Sequence, residues 1–206
     1  MSTASITHPV PYYSQWESAT LVPQFITGQR HAAGDPLWQK SGADTPQEYA
    51  FWAPRMCGVA CLRMALQHWR HPVPPSVPLV KDLCEAGAYV RDGETVRGLI
   101  YHPFATYVRA RWGLHAQAVP DLPAGDVRDA VAAGRLVLLS VHKSIRTPET
   151  DPPGKGGHLV LAVGVSEETV VLNNPSGLPG SSQKAAEVTW DRLGAFYAGR
   201  GVILGE

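Results

Sequence analysis

The stretch from Pro54 to Trp69, read as PRMCGVACLRMALQHW, constrains this chain more than any other. It opens on proline and then turns helical. Apolar Val59, Leu62, Leu66 and Trp69 fall three or four residues apart, so one stripe is expected to face a core while Arg63, Gln67 and Arg70 point to water. Cys57 falls at the start of this helix. There the unpaired backbone N–H groups and the positive end of the helix dipole favour an anion over a neutral thiol. A nucleophilic thiolate would be placed at such a position.

The rest of the chain must build a core around that helix. With 206 residues, one domain spanning 1–206 fits the length and two complete domains would be cramped. The 18 Lys and Arg balance the 18 Asp and Glu, which gives no sign of a nucleic-acid partner or an anionic membrane surface. Met1 to Pro9 lack a basic start followed by an apolar run, and no later stretch stays apolar long enough to span a bilayer. A cytoplasmic address is expected. Three cysteines, an odd number, make no disulfide framework, and a reducing compartment leaves Cys57 free to react. Cys61 and Cys84 lie among apolar residues and read as small core fillers.

In chain order, Val10 to Gln15 reads as a short extended segment held open by proline. Residues 16–46 are irregular, broken by Pro23, Gly28, Gly34, Pro36 and Gly42, and an insertion of this kind inside a domain is functional or mobile. We expect it to act as a lid. Thr45-Pro46-Gln47-Glu48 is a helix start with proline in the first turn, and it delivers the chain to Cys57. Further helices are expected over Val77 to Ala86, over Pro103 to Trp112 with Tyr107 and Ala110 inward, and over Asp126 to Ala133. Leu136 to Val141 is an apolar strand. Gly156-Gly157 opens a second, His158 to Val165, which turns at Ser166-Glu167-Glu168 into Thr169 to Leu172 as a hairpin. Val188 to Tyr197 reads as a last helix and Gly201 to Leu204 as a closing strand. Helices first and sheet afterwards predict an α+β fold in two unequal lobes.

A thiol attacks a carbonyl usefully only with a base, a group that orients the base, and a donor for the oxyanion. The chain offers one residue for each. His158 stands at the mouth of a strand, just after the flexible loop Pro152 to Gly157. Asn174 follows the partner strand of the same hairpin and precedes Pro175, which leaves its amide near the imidazole. Gln15 could supply an amide N–H beside the Cys57 backbone N–H, with Gln47 as its rival.

Tyr12-Tyr13-Ser14-Gln15, Cys57-Gly58-Val59-Ala60 running to Met64, Gly157-His158 running to Val165, and Asn173-Asn174-Pro175 stand in an order that resembles the C39-like cysteine peptidases. These are relatives of bacteriocin-processing proteases within the papain-like superfamily. The resemblance implies a papain-like fold, with a helical lobe carrying the nucleophile at a helix N-terminus against a twisted antiparallel sheet. It also implies Cys57 as nucleophile, His158 as base, Asn174 as orienting residue and Gln15 in the oxyanion hole. Two positions depart from the family's pattern. Bacteriocin-processing members carry aspartate where this chain has Asn174, and their glutamine lies a few residues before the cysteine, whereas roughly forty residues separate Gln15 from Cys57.

The expected activity is therefore hydrolysis of a peptide or amide bond through an acyl-enzyme thioester, with a leader-bearing precursor peptide as one substrate class. An acyltransferase or amide-forming transpeptidase would use the same residues, with an amine in place of water. A non-catalytic peptide-binding module is the third reading. No cofactor is implied. Cys57, Cys61 and His68 share a helix face, but a rise of ~1.5 Å per residue sets the first and third ~16 Å apart. Zinc bonds of ~2.0–2.3 Å cannot bridge that span. Gly154-Lys155-Gly156-Gly157 lacks the spacing and following helix of a phosphate loop.

Overall fold

The computed structural model describes residues 5–206. Met1 to Ala4, part of the segment read above for targeting signals, lie outside the described residues. The framework is one antiparallel sheet of seven strands: β1 (Ile6–Thr7), β4 (His115–Val119), β5 (Leu136–Val141), β6 (His158–Val165), β7 (Thr169–Asn173), β8 (Ala186–Thr189) and β9 (Tyr197–Gly205). Their order across the sheet is β4-β9-β5-β6-β7-β8, with β1 against β6. The sequence-predicted closing strand is in fact nine residues long and lies inside the sheet, between β4 and β5. A separate hairpin, β2 (Val90–Asp92) and β3 (Thr95–Arg97), was not legible because its strands are three residues long, mostly polar and mostly exposed.

Both faces of the sheet are covered, which explains why β5 and β6 are apolar at every second position on each side. Leu136 and Leu138, with Leu159, Leu161 and Val163, join a core formed with the helices of the first half of the chain. Val137, Leu139 and Val141, with Val160 and Ala162, pack on the opposite side against Val127, Val131, Leu193 and Phe196. The helices are α1 (Val22–Ile26), α2 (Pro46–Trp52), α3 (Cys57–His68), α4 (Ser76–Glu85), α5 (Tyr101–Trp112), α6 (Ala124–Ala132) and α7 (Trp190–Phe196). No described helix is long and apolar enough to cross a membrane.

Several sequence-based expectations need correction. Helix α3 is enclosed more deeply than expected: Gln67 and Arg70 are exposed as the spacing predicts, but every residue from Gly58 to Leu66 is buried, Arg63 included, while Trp69 keeps partial exposure. Arg63 is tolerated inside because its charge faces Glu17 at 3.5 Å, its Nε donates to the Pro74 carbonyl at 3.1 Å, and its guanidinium lies over the Tyr13 ring. On α5 the inward residues are Phe104, Ala105 and Val108, and Ala110 is exposed. The last helix begins only at Trp190, since Val188 belongs to β8 and Thr189 caps the helix by accepting from the Arg192 N–H at 3.2 Å.

Residues 16–46 are less irregular than the scattered prolines and glycines suggest. They form α1 and three short 3₁₀ turns, and bury Trp16, Ser18, Val22, Asp35 and Ser41. Asp35 organises the segment: its carboxylate accepts from the Ser18 hydroxyl at 2.5 Å, the Ser18 N–H at 3.1 Å and the Tyr49 hydroxyl at 2.5 Å. Charged hydrogen bonds of this kind are among the strong ones, so the segment is tied to α2.

Candidate active site

Helix α2 starts as the sequence suggests, with Thr45 Oγ1 accepting from the Glu48 N–H at 3.1 Å. It runs through a 3₁₀ turn, Ala53–Arg55, that drops the chain onto Cys57 as the first residue of α3. Met56 at the N-cap offers no capping oxygen, so the first-turn N–H groups have no side-chain acceptor from it. Gly58 follows because the backbone is pressed against its neighbours. A Cβ there would lie 3.0 Å from Leu99, 3.1 Å from the Tyr89 hydroxyl and 3.2 Å from Leu159.

His158 comes to the same place from the sheet. Gly156 and Gly157 adopt φ of 79° and 91°, a left-handed pair that aims the chain into β6, where His158 pairs with Val141 of β5. Asn174 lies just past β7. The N-terminal segment straps this turn in place: Tyr12 donates to the Asn174 carbonyl at 2.9 Å, and the Gln15 N–H and Ser14 hydroxyl both donate to the Pro175 carbonyl at 3.0 Å.

The imidazole is held by its far nitrogen. His158 Nε2 lies 2.8 Å from Asn174 Oδ1, and that same oxygen accepts the Ser176 N–H at 3.0 Å. The Ser176 bond sets the orientation of the amide, so Oδ1 is an acceptor towards the ring and Nε2 carries the proton. Nδ1 is left with its lone pair. His158 and Asn174 are both buried, so this arrangement is shielded from competing water.

Cys57, His158 and Gln15 line one cavity of about 830 Å³. The Cys57 sulfur is close enough to the first residues of β6 for the Leu159 backbone to stabilise its anion, and Cys61 Sγ lies 3.8 Å from the Leu159 carbonyl. Three distant parts of the chain therefore meet. Gln15 is buried; its Nε2 donates to the Ala53 carbonyl at 3.0 Å, on the turn before Cys57, while Oε1 has no hydrogen-bond partner among the described residues. One amide N–H remains beyond that bond. Gln47 is exposed on α2 and is not among the residues lining the cavity.

The electrostatics correct one sequence-based expectation. Burial pushes the Cys57 thiol up, and the backbone N–H groups of Leu159, Gly58 and Cys57 offset this only in part. Burial likewise pulls His158 down, from 6.5 to about 4, opposed by its bond to Asn174 and reinforced by Arg146, His142 and Lys143. Both shifts favour a neutral thiol beside a neutral imidazole. The helix start favours a thiolate, but desolvation wins.

Sequence reading missed two residues of this site. Ser176 Oγ lies 3.2 Å from His158 Nε2, and Arg146 Nη2 donates to that Oγ at 3.0 Å. Ser176 carried a signal in retrospect, since Asn-Pro-Ser is a turn in which the Asn side chain accepts from the N–H two residues on. Arg146 carried none, because only the fold brings the end of β5 beside the hairpin. Among the described residues, no group of three or more His, Cys, Asp or Glu is placed to hold a metal ion.

Comparison with known proteins follows the same lines. The chain is similar to the peptidase domain of Streptococcus ComA, a bi-functional ABC transporter involved in a quorum sensing pathway, at 14% identity and a TM-score of 0.51, covering 74% of this chain and 92% of that one. It is also similar to a C39-like peptidase from Bacillus anthracis at 15% identity and a TM-score of 0.52, covering 74% of this chain and 89% of that one. At these identities the likeness is one of fold. No curated protein sequence matches the chain significantly. The sheet with helices on its faces is that of C39 peptidase domains, which are papain-like, and the model of the Peptidase_C39 like family matches residues 7–198. The chain belongs to the Peptidase_C39 like family.

Proposed function

We propose that this protein is a cysteine peptidase that hydrolyses a peptide or amide bond through a thioester on Cys57. The observation that carries this reading is the His158 imidazole, fixed by Asn174 at 2.8 Å in the tautomer that leaves Nδ1 basic, in the same cavity as a cysteine at a helix start. As a substrate carbonyl arrives, His158 Nδ1 takes the thiol proton and the sulfur forms a bond to the carbonyl carbon. The oxyanion is met by the Cys57 backbone N–H and the remaining N–H of Gln15 Nε2. The intermediate collapses as the C–N bond breaks, and His158 passes its proton to the leaving amine. Water, deprotonated by the same imidazole, then attacks the thioester and restores the thiol. Family membership and the cavity of about 830 Å³ around Cys57 support a peptide substrate, of which a leader-bearing precursor is one class.

The test is mass-spectrometric trapping of an acyl adduct on Cys57 from a pool of peptides, followed by product analysis with and without an added amine. A Cys57-dependent adduct that resolves to free acid supports the reading. Amide products formed only with added amine would indicate acyl transfer instead, and absence of any adduct together with no labelling by a thiol-directed acylating probe would point to a binding module.

A further inference from the structure

Among the described residues, the cavity around Cys57 is lined by four cationic side chains, Arg55, Lys143, Arg146 and Arg200, and by no carboxylate. This is a local imbalance in a chain whose 18 basic and 18 acidic residues cancel. None of the four takes part in an ion pair among the described residues. Arg55 donates to the carbonyls of Phe51 and Glu94, and its guanidinium lies over the Phe51 ring, while the Glu94 carboxylate is turned to Arg91. Among the described residues, half-buried Arg146 is bonded to neutral oxygens only, the Lys143 carbonyl at 3.1 Å and Ser176 Oγ at 3.0 Å. Lys143 and Arg200 are exposed towards the cleft.

Three of these charges reach the cleft from adjoining strands. Lys143 and Arg146 follow directly on β5, whose Val141 pairs with His158, and Arg200 lies on β9, whose Tyr197 pairs with the same Val141. A half-buried guanidinium without a counter-charge is held at a cost in solvation, which a ligand carboxylate would offset with charge-assisted hydrogen bonds. Four like charges around one cavity also raise the local concentration of anions and repel cations. The remaining wall is apolar, with Trp16, Phe25, Ile26 and Leu99. Such a surface fits a chain with apolar and acidic side chains better than a polyphosphate backbone.

We infer that the substrate of this cleft is an acidic peptide, whose carboxylates are met by Arg55, Lys143, Arg146 and Arg200. The inference rests on the peptidase reading above for the identity of the cleft as the substrate site, and deepens it by naming the substrate class.

A binding measurement on the full chain carrying Cys57→Ala keeps the two readings apart, because it requires no turnover. Three pools of blocked octapeptides, built on Leu, Ala and Gly with three Glu, three Gln or three Lys each, are equilibrated with the protein and the bound fraction is quantified by mass spectrometry. The Glu pool is expected to be retained about tenfold more than the Gln pool at low salt and the Lys pool least, with the difference shrinking at high salt. Adding Lys143→Gln and Arg200→Gln should bring the Glu to Gln ratio down towards one. Equal retention of the three pools, preference for Lys, a ratio indifferent to salt and to both substitutions, or preferential retention of an oligothymidylate of similar length would overturn the inference. Failure of wild-type protein to form an adduct on Cys57 from any pool, with Glu selectivity intact, would instead sink the peptidase reading alone.

Discussion

At the scale of the residue, the site turns on where two protons sit. Asn174 Oδ1 accepts from both the Ser176 N–H and His158 Nε2, so the ring tautomer follows from a turn and not from its immediate reaction partner. Asn174→Ala leaves that nitrogen with the Ser176 hydroxyl alone, and kcat/KM should fall by at least about tenfold, whereas His158→Ala, which removes the proposed base, should cost roughly 10²–10⁴. Steady-state kinetics on a cleaved peptide would separate the two. Because burial raises the thiol and lowers the imidazole, the proton count that supports attack persists across a wide range. The acid limb of kcat/KM should lie near 4, as a macroscopic property of the pair, and the alkaline limb above the ordinary thiol range. Iodoacetamide labelling of Cys57 should correspondingly keep rising beyond neutral pH. A plateau already at neutral pH would show a standing thiolate and imidazolium. Cys57 and His158 were legible because a helix start and a double-glycine strand entry are local patterns. Ser176 and Arg146 were not singled out, since their meaning depends on which strand end lies beside which turn.

At the scale of the element, α3 shows how a helix read as amphipathic can be surrounded. Its apolar spacing named Val59, Leu62 and Leu66 correctly, but α4 and the N-terminal segment cover the face that Arg63 was expected to show to water. Removing one partner from a buried ion pair leaves the other charge stranded, so Arg63→Ala should destabilise by about 3 kcal/mol, measured by urea unfolding. Gly58→Ala should cost about 1–3 kcal/mol in the same assay, because a methyl group would meet Leu99, Tyr89 and Leu159 at 3.0–3.2 Å. The segment over residues 16–46 belongs to this scale too. With Trp16, Phe25 and Ile26 in the cleft wall and Asp35 holding its base, its role is better tested by Phe25→Ala and Ile26→Ala than by deletion. These two changes should raise KM more than they lower kcat, with unfolding destabilised by about 1–3 kcal/mol each because both side chains pack against the core.

At the scale of the whole molecule, burying His158 links acid stability to the candidate site. An unfolded chain takes up the His158 proton near 6.5 and the folded one only near 4, so the unfolded state binds more protons between those values and stability falls as pH drops through that window. The contribution is roughly 3 kcal/mol, fully present above 6.5 and lost towards pH 4. His158→Gln should lose that part of the acid sensitivity when urea midpoints at pH 7 and pH 4 are compared. The helices α2 to α6, the β6–β7 hairpin, the cysteine at a helix start and the histidine at a strand mouth were determined by the sequence itself, through periodicity, capping residues and glycine pairs that act over a few neighbours. The tertiary structure alone decided that β9 runs inside the sheet, that Arg63 is interior, and that a chain of balanced charge gathers around its cysteine four cations with no ion-pair partner among the described residues. Those outcomes depend on which distant surfaces exclude water from one another, and that is a property of the assembled packing, not of any local run of residues.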